Sequence, residues 1–254
     1  MRIGCVKYLN ARPLIAGWAG PVVLDHPAAL CSQLAAGELD AALVSSIEFL
    51  RNPIYRVVDG VSIASDGPVY SVIVVHRHDA SVWSEVELDP ASETSVALLR
   101  HLLSISDKRS GIVPMTDDAL SPLLPNRARL LIGDQAIQFR QHFGDSYGYW
   151  DLGEAWKALT KLPFVYALWL VRPEVEQTAQ LAKQLRGTRD SNLANLEQLV
   201  EQQRGIDREF CRRYYTEHLS FSLGDREKLG LREFANACAN LGLTPSGDVA
   251  LRLV

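Results

Sequence analysis

The segment Phe164-Val165-Tyr166-Ala167-Leu168-Trp169-Leu170-Val171 is apolar or aromatic throughout and lies between Pro163 and Arg172-Pro173. A continuous run of this kind between turn-forming residues predicts a strand that is buried on both of its faces. A second such run, residues 69–75, follows the turn Ser65-Asp66-Gly67-Pro68. The two predicted strands divide the chain into a region before the first, a region between them and a region after the second.

Shorter strands and helices alternate in the first two of these regions. One helix is predicted to begin at Pro27 and to end at Gly37, because Leu30 and Leu34 fall four residues apart on one face. After Pro173 the chain is predicted to be almost wholly helical. The other predicted strands cover residues 3–6, 22–24, 39–44, 111–113 and 129–132. The other predicted helices cover residues 13–18, 46–51, 94–103, 135–141, 152–159, 175–185, 193–202 and 226–241.

This order of elements predicts an α/β protein of two lobes, each a β-sheet flanked by helices. The strands at 69–75 and 164–171 are expected to cross between the lobes. Lobe I then comprises residues 1–75 and 171–254, including the C-terminal helices, and lobe II comprises residues 76–170. A single doubly wound domain is the alternative. In the two-lobed arrangement a ligand binds in the cleft, where strand ends and helix N-termini converge.

The composition narrows the classes of partner. The chain has 254 residues, of which 47% are hydrophobic and 22% charged, and a formal net charge of −4. This balance provides no broad basic surface, which argues against nucleic acid as a partner. No stretch approaches the roughly 18 apolar residues of a membrane span. The first residues lead into a strand pattern without an export signal, so a cytoplasmic protein is expected, as a monomer or homodimer. The four cysteines are widely spaced and are expected to be free thiols.

Clusters of hydroxyl side chains stand where two predicted helices begin. Ser45 and Ser46 precede one helix, and Ser92, Thr94 and Ser95 stand at the start of another. Hydroxyls beside the unpaired N–H groups of a helix start can bind a carboxylate. One cluster in each lobe could therefore hold a ligand with two carboxylates. Ordinary N-capping is the alternative, because Ser and Thr are common capping residues.

Two further polar residues lie near predicted strands. Asn10 follows the first strand, at the sheet edge where α/β proteins bind ligands, although a turn-stabilising role is the alternative. Ser71 interrupts the apolar run at residues 69–75, and a buried hydroxyl there needs a partner. Gly133-Asp134 is either a ligand-facing turn or a strand-to-helix cap.

No metal or cofactor is expected. His76 and His78 share one face of a predicted strand end, but no third ligand stands near them in the sequence. Gly4 and Gly133 belong to no glycine-rich nucleotide-binding sequence.

A series of short motifs follows from the N-terminus to about residue 171. They are Tyr8-Leu9-Asn10-Ala11-Arg12-Pro13-Leu14, Leu43-Val44-Ser45-Ser46-Ile47-Glu48-Phe49-Leu50, Asp66-Gly67-Pro68-Val69-Tyr70-Ser71-Val72, Ser92-Glu93-Thr94-Ser95, Leu131-Ile132-Gly133-Asp134, Asp151-Leu152-Gly153-Glu154-Ala155-Trp156 and Leu162-Pro163-Phe164-Val165. In this order they resemble the chorismate dehydratases of the futalosine route to menaquinone. The sister enzyme of that route, which makes dihydroxynaphthoate, opens with a Pro- and Asn-rich segment, and Tyr8-Leu9-Asn10 argues against it.

The resemblance implies a two-lobed fold like that of type 2 periplasmic binding proteins. It implies that chorismate loses water, without a cofactor, to give 3-[(1-carboxyvinyl)oxy]benzoate. Serine and amide side chains are poor bases at neutral pH, so the substrate's own side-chain carboxylate is expected to take the proton. A cytoplasmic binding protein for a small carboxylate is the non-enzymatic alternative. The residues implied as catalytic are Asn10 and Ser71, and those expected to bind substrate are Ser45, Ser46, Ser92, Thr94, Ser95, Gly133, Asp134 and Phe164.

Overall fold

The structure is a computed structural model, which describes residues 1–77, 83–88, 93–106, 110–115, 118–245 and 247–254. Ser92 and His78 therefore lie outside the described residues. The strands are β1 (Ile3–Val6), β2 (Val22–Asp25), β3 (Ala41–Ser45), β4 (Arg56–Ser65), β5 (Val72–His76), β6 (Glu85–Leu88), β7 (Gly111–Pro114), β8 (Arg127–Ile132), β9 (Gly148–Asp151) and β10 (Phe164–Val171). The helices are α1 (Arg12–Ile15), α2 (Pro27–Ala35), α3 (Ser46–Arg51), α4 (Glu93–Ile105), α5 (Gly133–Phe143), α6 (Leu152–Thr160), α7 (Thr178–Ala194), α8 (Leu196–Glu201), α9 (Arg208–Arg213) and α10 (Asp225–Asn240).

Within the described residues the strands form two five-stranded sheets. The first has the order β2-β1-β3-β10-β4 and the second the order β7-β6-β8-β5-β9. β1 pairs in parallel with β2 and β3, and β6 pairs in parallel with β7 and β8. β10 and β5 are each antiparallel to both of their neighbours. The predicted α/β architecture with two sheets is therefore confirmed, and both sheets are mixed.

The strand predicted at residues 164–171 is confirmed as β10, and all eight of its residues are buried. It lies between β3 and β4, and α10 packs against it. Each large apolar side chain fully buried in this way contributes roughly 1.5–3 kcal/mol to stability. Burial on both faces of a central strand accounts for the unbroken apolar run.

The strand predicted at residues 69–75 begins later, at Val72, so the predicted start is wrong. The backbone N–H groups of Val69 and Tyr70 donate instead to the carboxylate of Asp151, at 3.1 and 2.7 Å. Tyr70 has a φ of 67°, and the N–H of Ser71 donates across it to the carbonyl of Val69 at 2.8 Å. These residues form a γ-turn with positive φ at its centre, a strained conformation that precedes the strand.

The chain passes between the two sheets twice, over residues 66–71 and over residues 161–163. β5 pairs within the second sheet and β10 within the first. The predicted boundaries, between residues 75 and 76 and between residues 170 and 171, would place β5 in lobe I and β10 in lobe II. Each strand would then be separated from the sheet in which it pairs. The division into lobes stays a prediction, and we propose to place its boundaries in the two crossing segments.

The C-terminal helices pack on elements of the first sheet, and one of them also contacts a helix that follows a strand of the second sheet. α7 packs against α1 and β4, whereas α10 packs against both β10 and α4. A π-helical turn, Tyr214–His218, follows α9 directly. None of the helices in the described residues is both long enough and apolar enough to cross a membrane. The cysteines are free thiols, and burial raises the pKa of Cys5, Cys31 and Cys238 to about 12.

Candidate functional site

A cavity lies between the two sheets, where β1, β3 and β8 end. Its lining atoms enclose about 570 Å³ including the open space at the mouth, of which about 60 Å³ can hold the centre of a water molecule. The smaller figure lies below the roughly 300–1,000 Å³ of small-molecule sites. The small inner volume indicates that the walls lie close together. The lining residues are Val6, Tyr8, Asn10, Pro27, Ser45, Ile63, Val69, Ser71, Val72, Thr94, Ser95, Ile132, Gly133, Tyr166, Ala167 and Leu219.

Six of the residues predicted to form the site are among these: Asn10, Ser45, Ser71, Thr94, Ser95 and Gly133. Among the residues that the structure describes, the lining contains no carboxylate, imidazole, amine, guanidinium or thiol side chain. Its polar groups are hydroxyls, one amide and the backbone at the starts of α3, α4 and α5. Such groups can hold carboxylates through N–H and O–H donors, and the positive ends of the helix dipoles favour negative charge.

The hydroxyl groups of Ser45 and Ser95 are available to a ligand. Ser45 precedes α3, but its side chain makes no capping hydrogen bond to that helix. Simple capping of α3 by Ser45 is therefore wrong. Ser95 lies in the first turn of α4, and its hydroxyl has no hydrogen bond to another described residue. Both side chains line the cavity, so both can donate to a carboxylate there.

Thr94 joins the starts of two helices from opposite sides of the cavity. Its hydroxyl oxygen accepts a hydrogen bond from the backbone N–H of Ile47, at 3.2 Å, in the first turn of α3. It also lies 3.5 Å from the hydroxyl of Ser46. Ser46 is fully buried, donates to the carbonyl of Val165 at 2.8 Å, and lies outside the lining of the cavity.

Asn10 lies in a 3₁₀ turn, Leu9–Ala11, that follows β1. Two hydrogen bonds hold the backbone of this turn at Leu9. Its N–H donates to the carboxylate of Asp134 at 2.9 Å, and its carbonyl accepts from the hydroxyl of Tyr215 at 3.0 Å. The side-chain oxygen of Asn10 is buried and has no partner among the described residues. A buried amide oxygen without a partner is costly unless a ligand or water satisfies it. Asn10 is thus fixed in position with its amide free to bind a ligand.

Asp134, the second residue of α5, holds the Asn10 turn and does not line the cavity. Burial raises the pKa of its carboxyl, and this effect is opposed by the hydrogen bond from Leu9 N–H and by the charge of Arg12. The geometry supports a role for Asp134 in positioning the turn that carries Asn10. A contact between Asp134 and substrate stays a prediction.

Ser71 is buried, lines the cavity and stands directly before β5. Its hydroxyl oxygen accepts a hydrogen bond from Tyr214, at 2.6 Å. The preceding γ-turn is held by several contacts: the ring of Tyr70 lies 4.8 Å from that of Phe210, and the guanidinium of Arg140 lies 4.1 Å from the Tyr70 ring centre. Strained residues of this kind persist where the surroundings over-determine them, and they cluster at functional sites.

Asp151 holds the backbone of the two residues that precede Ser71. Its carboxylate accepts from the N–H groups of Gly153 and Glu154, as an N-cap of α6, as well as from Val69 and Tyr70. A Cβ on Gly153 would lie 2.5 Å from the Gly67 carbonyl, which explains why glycine stands in this motif. The N-cap was readable from an Asp before a predicted helix, but its reach to residue 69 was not.

Gly133 and Tyr8 pack closely at the wall of the cavity. Gly133 has a φ of 53°, and a Cβ there would lie 3.1 Å from the Tyr8 ring. On the opposite wall, the Tyr166 hydroxyl lies 3.1 Å from that of Ser65. Phe164 lies outside the lining and packs against Trp156 and Phe234, so its contact with substrate stays a prediction without support from the geometry.

Solved structures with the same architecture show the fold. A protein of Archaeoglobus fulgidus superposes with a TM-score of 0.75 at 17% sequence identity, covering 95% of this chain and 97% of that one. The alkanesulfonate-binding protein SsuA of Xanthomonas axonopodis pv. citri superposes with a TM-score of 0.68 at 15% identity, covering 98% and 95%. The predicted two-lobed fold like that of periplasmic binding proteins is therefore confirmed.

Sequence comparison identifies the family. A chorismate dehydratase of Thermus thermophilus is 30% identical over 262 aligned residues, covering 92% of this chain and 94% of that one. A chorismate dehydratase of Campylobacter jejuni is 26% identical, covering 93% and 92%. A family model described as menaquinone biosynthesis matches residues 1–240. The resemblance seen in the motifs is thus confirmed, and the chain belongs to the menaquinone biosynthesis family.

Proposed function

We propose that the protein is a chorismate dehydratase, a carbon–oxygen lyase that converts chorismate to 3-[(1-carboxyvinyl)oxy]benzoate and water in the futalosine pathway of menaquinone biosynthesis. The names of its relatives support this substrate and reaction. The observation that carries the proposal is the chemistry of the described part of the cavity lining, which offers many hydrogen-bond donors and no carboxylate, imidazole or amine side chain. A cytoplasmic location and a monomeric or homodimeric state stay predictions.

The reaction requires few reactive groups from the protein. It removes a ring hydroxyl and the hydrogen of the neighbouring carbon, which carries the enolpyruvyl ether. The ring carboxylate acidifies that hydrogen through the diene, and the product gains aromaticity. The enzyme must therefore hold two carboxylates and fix the reacting geometry. Hydroxyls and helix starts on both sides of the cavity suit this task, with Ser45 beside α3 and Ser95 on α4.

The proton acceptor is the substrate's own enolpyruvyl carboxylate. No lining side chain among the described residues is a carboxylate or an imidazole. The enolpyruvyl carboxylate belongs to the ether substituent on the same carbon that loses the hydrogen. The C–H electron pair moves into the ring, the C–O bond to the hydroxyl breaks, and the carboxylate carries the proton. The departing hydroxide and that proton form the water. Asn10 and Ser71 act as donors to the departing oxygen or to the carboxylate that must be held against the C–H bond.

The test is incubation of purified protein with chorismate, followed by mass analysis of the products. A product lighter by one water molecule, formed faster than in a protein-free sample, is the expected result. Dialysis against a strong chelator before the assay should leave the rate unchanged. Ser71→Ala protein, purified in parallel, is the control for contaminating activity. Chorismate that disappears only at the spontaneous rate would contradict the proposal, and binding without turnover would favour a binding protein.

A further inference from the structure

Tyr214 is the immediate neighbour of Ser71 on the side away from the cavity. It begins the π-helical turn 214–218, is fully buried and is absent from the cavity lining. Its ring stacks on that of Phe210, with 5.7 Å between ring centres and 13° between the planes. The ring is therefore fixed by packing, and only the hydroxyl group reaches toward the site.

The hydrogen bond between these residues has a defined direction. The Tyr214 hydroxyl donates to the Ser71 oxygen, 2.6 Å away. Burial raises the pKa of Tyr214, so the phenol keeps its proton and stays a donor at neutral pH. A serine hydroxyl has one proton and two lone pairs. Because one lone pair already accepts from Tyr214, the Ser71 proton must be directed to a different partner.

The cavity is where that partner must be found. Ser71 makes no other side-chain hydrogen bond with a described residue, and its side chain lines the cavity. Tyr215, the next residue of the π-helical turn, donates to the Leu9 carbonyl beside Asn10. Two consecutive tyrosines thus contact Ser71 itself and the residue that precedes Asn10. Single π-helical turns occur frequently at functional sites.

We propose that Tyr214 is a positioning residue that makes Ser71 a hydrogen-bond donor to the substrate. This inference rests on the proposed dehydratase function and adds to it the direction of the hydrogen bond between Ser71 and the substrate. A freely rotating serine could accept from a ligand as well as donate to it. With its oxygen occupied by Tyr214, Ser71 presents its proton to the departing hydroxyl or to the held carboxylate. The hydrogen bond from Tyr214 also polarises the Ser71 O–H group, since linked hydrogen bonds strengthen one another.

The test is a double-mutant cycle on turnover. Tyr214→Phe keeps the buried ring and removes only the donor. We expect kcat to fall on the order of tenfold, with KM changed much less, because the hydrogen bond matters most in the transition state. In a Ser71→Ala background the same substitution should have no further effect on kcat. Tyr147→Phe is the matched control: it removes a buried phenol hydroxyl bound to Arg77 and to Leu123 N–H, away from the cavity.

Each outcome decides the matter. Equal losses of kcat from Tyr214→Phe in both backgrounds, or a loss matched by Tyr147→Phe, would overturn the inference and show a general structural effect. Unchanged kcat in Tyr214→Phe would overturn it too. In both cases wild-type protein still dehydrates chorismate, so the proposed function stands. Wild-type protein without dehydration is the separate result that overturns the function and this inference with it.

Discussion

The hydroxyl of Thr94 accepts a hydrogen bond from the backbone N–H of Ile47, 3.2 Å away on the far side of the cavity. Thr94 belongs to α4, which follows β6 of the second sheet along the chain, and Ile47 belongs to α3, which follows β3 of the first. The Thr94 side chain therefore accepts a hydrogen bond from the first turn of α3, whereas Ser45, the residue directly before α3, makes no capping hydrogen bond. The pair also brings two helix starts together beside the ligand cavity.

Removing this link should weaken ligand binding more than turnover. Thr94→Ala removes a side chain that lines the cavity and holds the first turn of α3 in place beside it, and a tenfold loss of affinity corresponds to about 1.4 kcal/mol. We expect the product, 3-[(1-carboxyvinyl)oxy]benzoate, to bind about tenfold more weakly in calorimetry. Thr94→Ser keeps the acceptor and should bind almost as wild type. A fall in kcat with unchanged affinity would show instead that Thr94 acts in the chemical step.

Asn10 and Ser71 should show the reverse balance. Ser71→Ala and Asn10→Ala each remove a preorganised donor, which lowers kcat on the order of a hundredfold. The carboxylates would still be held by the helix starts, so product affinity should change much less. Single-turnover assays paired with calorimetry separate the two effects. If these variants bind poorly yet turn over normally at saturation, the two residues only hold the ligand.

The contact of Gly133 with Tyr8 can be tested by adding a single methyl group. Gly133→Ala combines a positive φ with a Cβ 3.1 Å from the Tyr8 ring. Gly17→Ala is the matched control, because Gly17 also has a positive φ, 73°, but nothing lies within 4 Å of the added Cβ. Both should lose about 1–2 kcal/mol of stability from backbone strain. Only Gly133→Ala should also weaken product binding, because Tyr8 must move; equal binding by both variants would contradict this.

The raised pKa of Asp134 predicts a pH dependence of stability. Burial favours the protonated carboxyl in the folded state, so its contribution to stability is greatest below the ordinary pKa of 3.8 and is lost as the pH rises through the raised value. Asp134→Asn keeps an oxygen acceptor for Leu9 N–H and removes the charge. We therefore expect the unfolding free energy of wild type, minus that of the Asn variant, to fall as the pH rises from about 4 toward neutral.

Urea unfolding of both proteins across this range measures that difference. Asp134→Ala, which loses the acceptor as well, should be less stable than Asp134→Asn at every pH. A difference between wild type and the Asn variant that rises with pH would show that the charged carboxylate is net stabilising.

The sequence predicted those elements whose apolar pattern is complete. β10 and α3 begin and end as predicted, because the first is apolar on both faces and the second is bounded by clear strand and turn residues. β4 was missed, since Asp59-Gly60 interrupts it and Gly60 has a φ of 78° where the strand bulges against β10. β6 was missed because its buried Glu87 reads as exposed. Its ion pairs with Arg129, at 2.6 Å, and Arg127, at 3.0 Å, both distant in sequence, explain its burial.

The site was predicted as far as single residues could be matched to motifs. The hydroxyl and amide residues that line the cavity were identified in this way, and Ser45 and Ser95 gained support from their free hydroxyls. Asp151 and Tyr214 were not identified, because each acts on a residue 80 or more positions away. Nothing local in the sequence indicates such a pairing. Thr94 likewise acts on a residue that is distant in sequence, because its partner Ile47 lies 47 positions away, among the elements of the first sheet.

The insertion of β10 between β3 and β4 has a consequence for how the chain acquires its structure. All strands of the second sheet come from one stretch, residues 72–151, and can pair as soon as that stretch has been synthesised. In the first sheet β4 joins its neighbours only through β10, so β3 and β4 keep exposed edges until residues 164–171 emerge. Such late, non-local pairing is slow and leaves strands open to aggregation. A nascent chain stalled before β10 should therefore contain one finished sheet and be the species that most needs a chaperone.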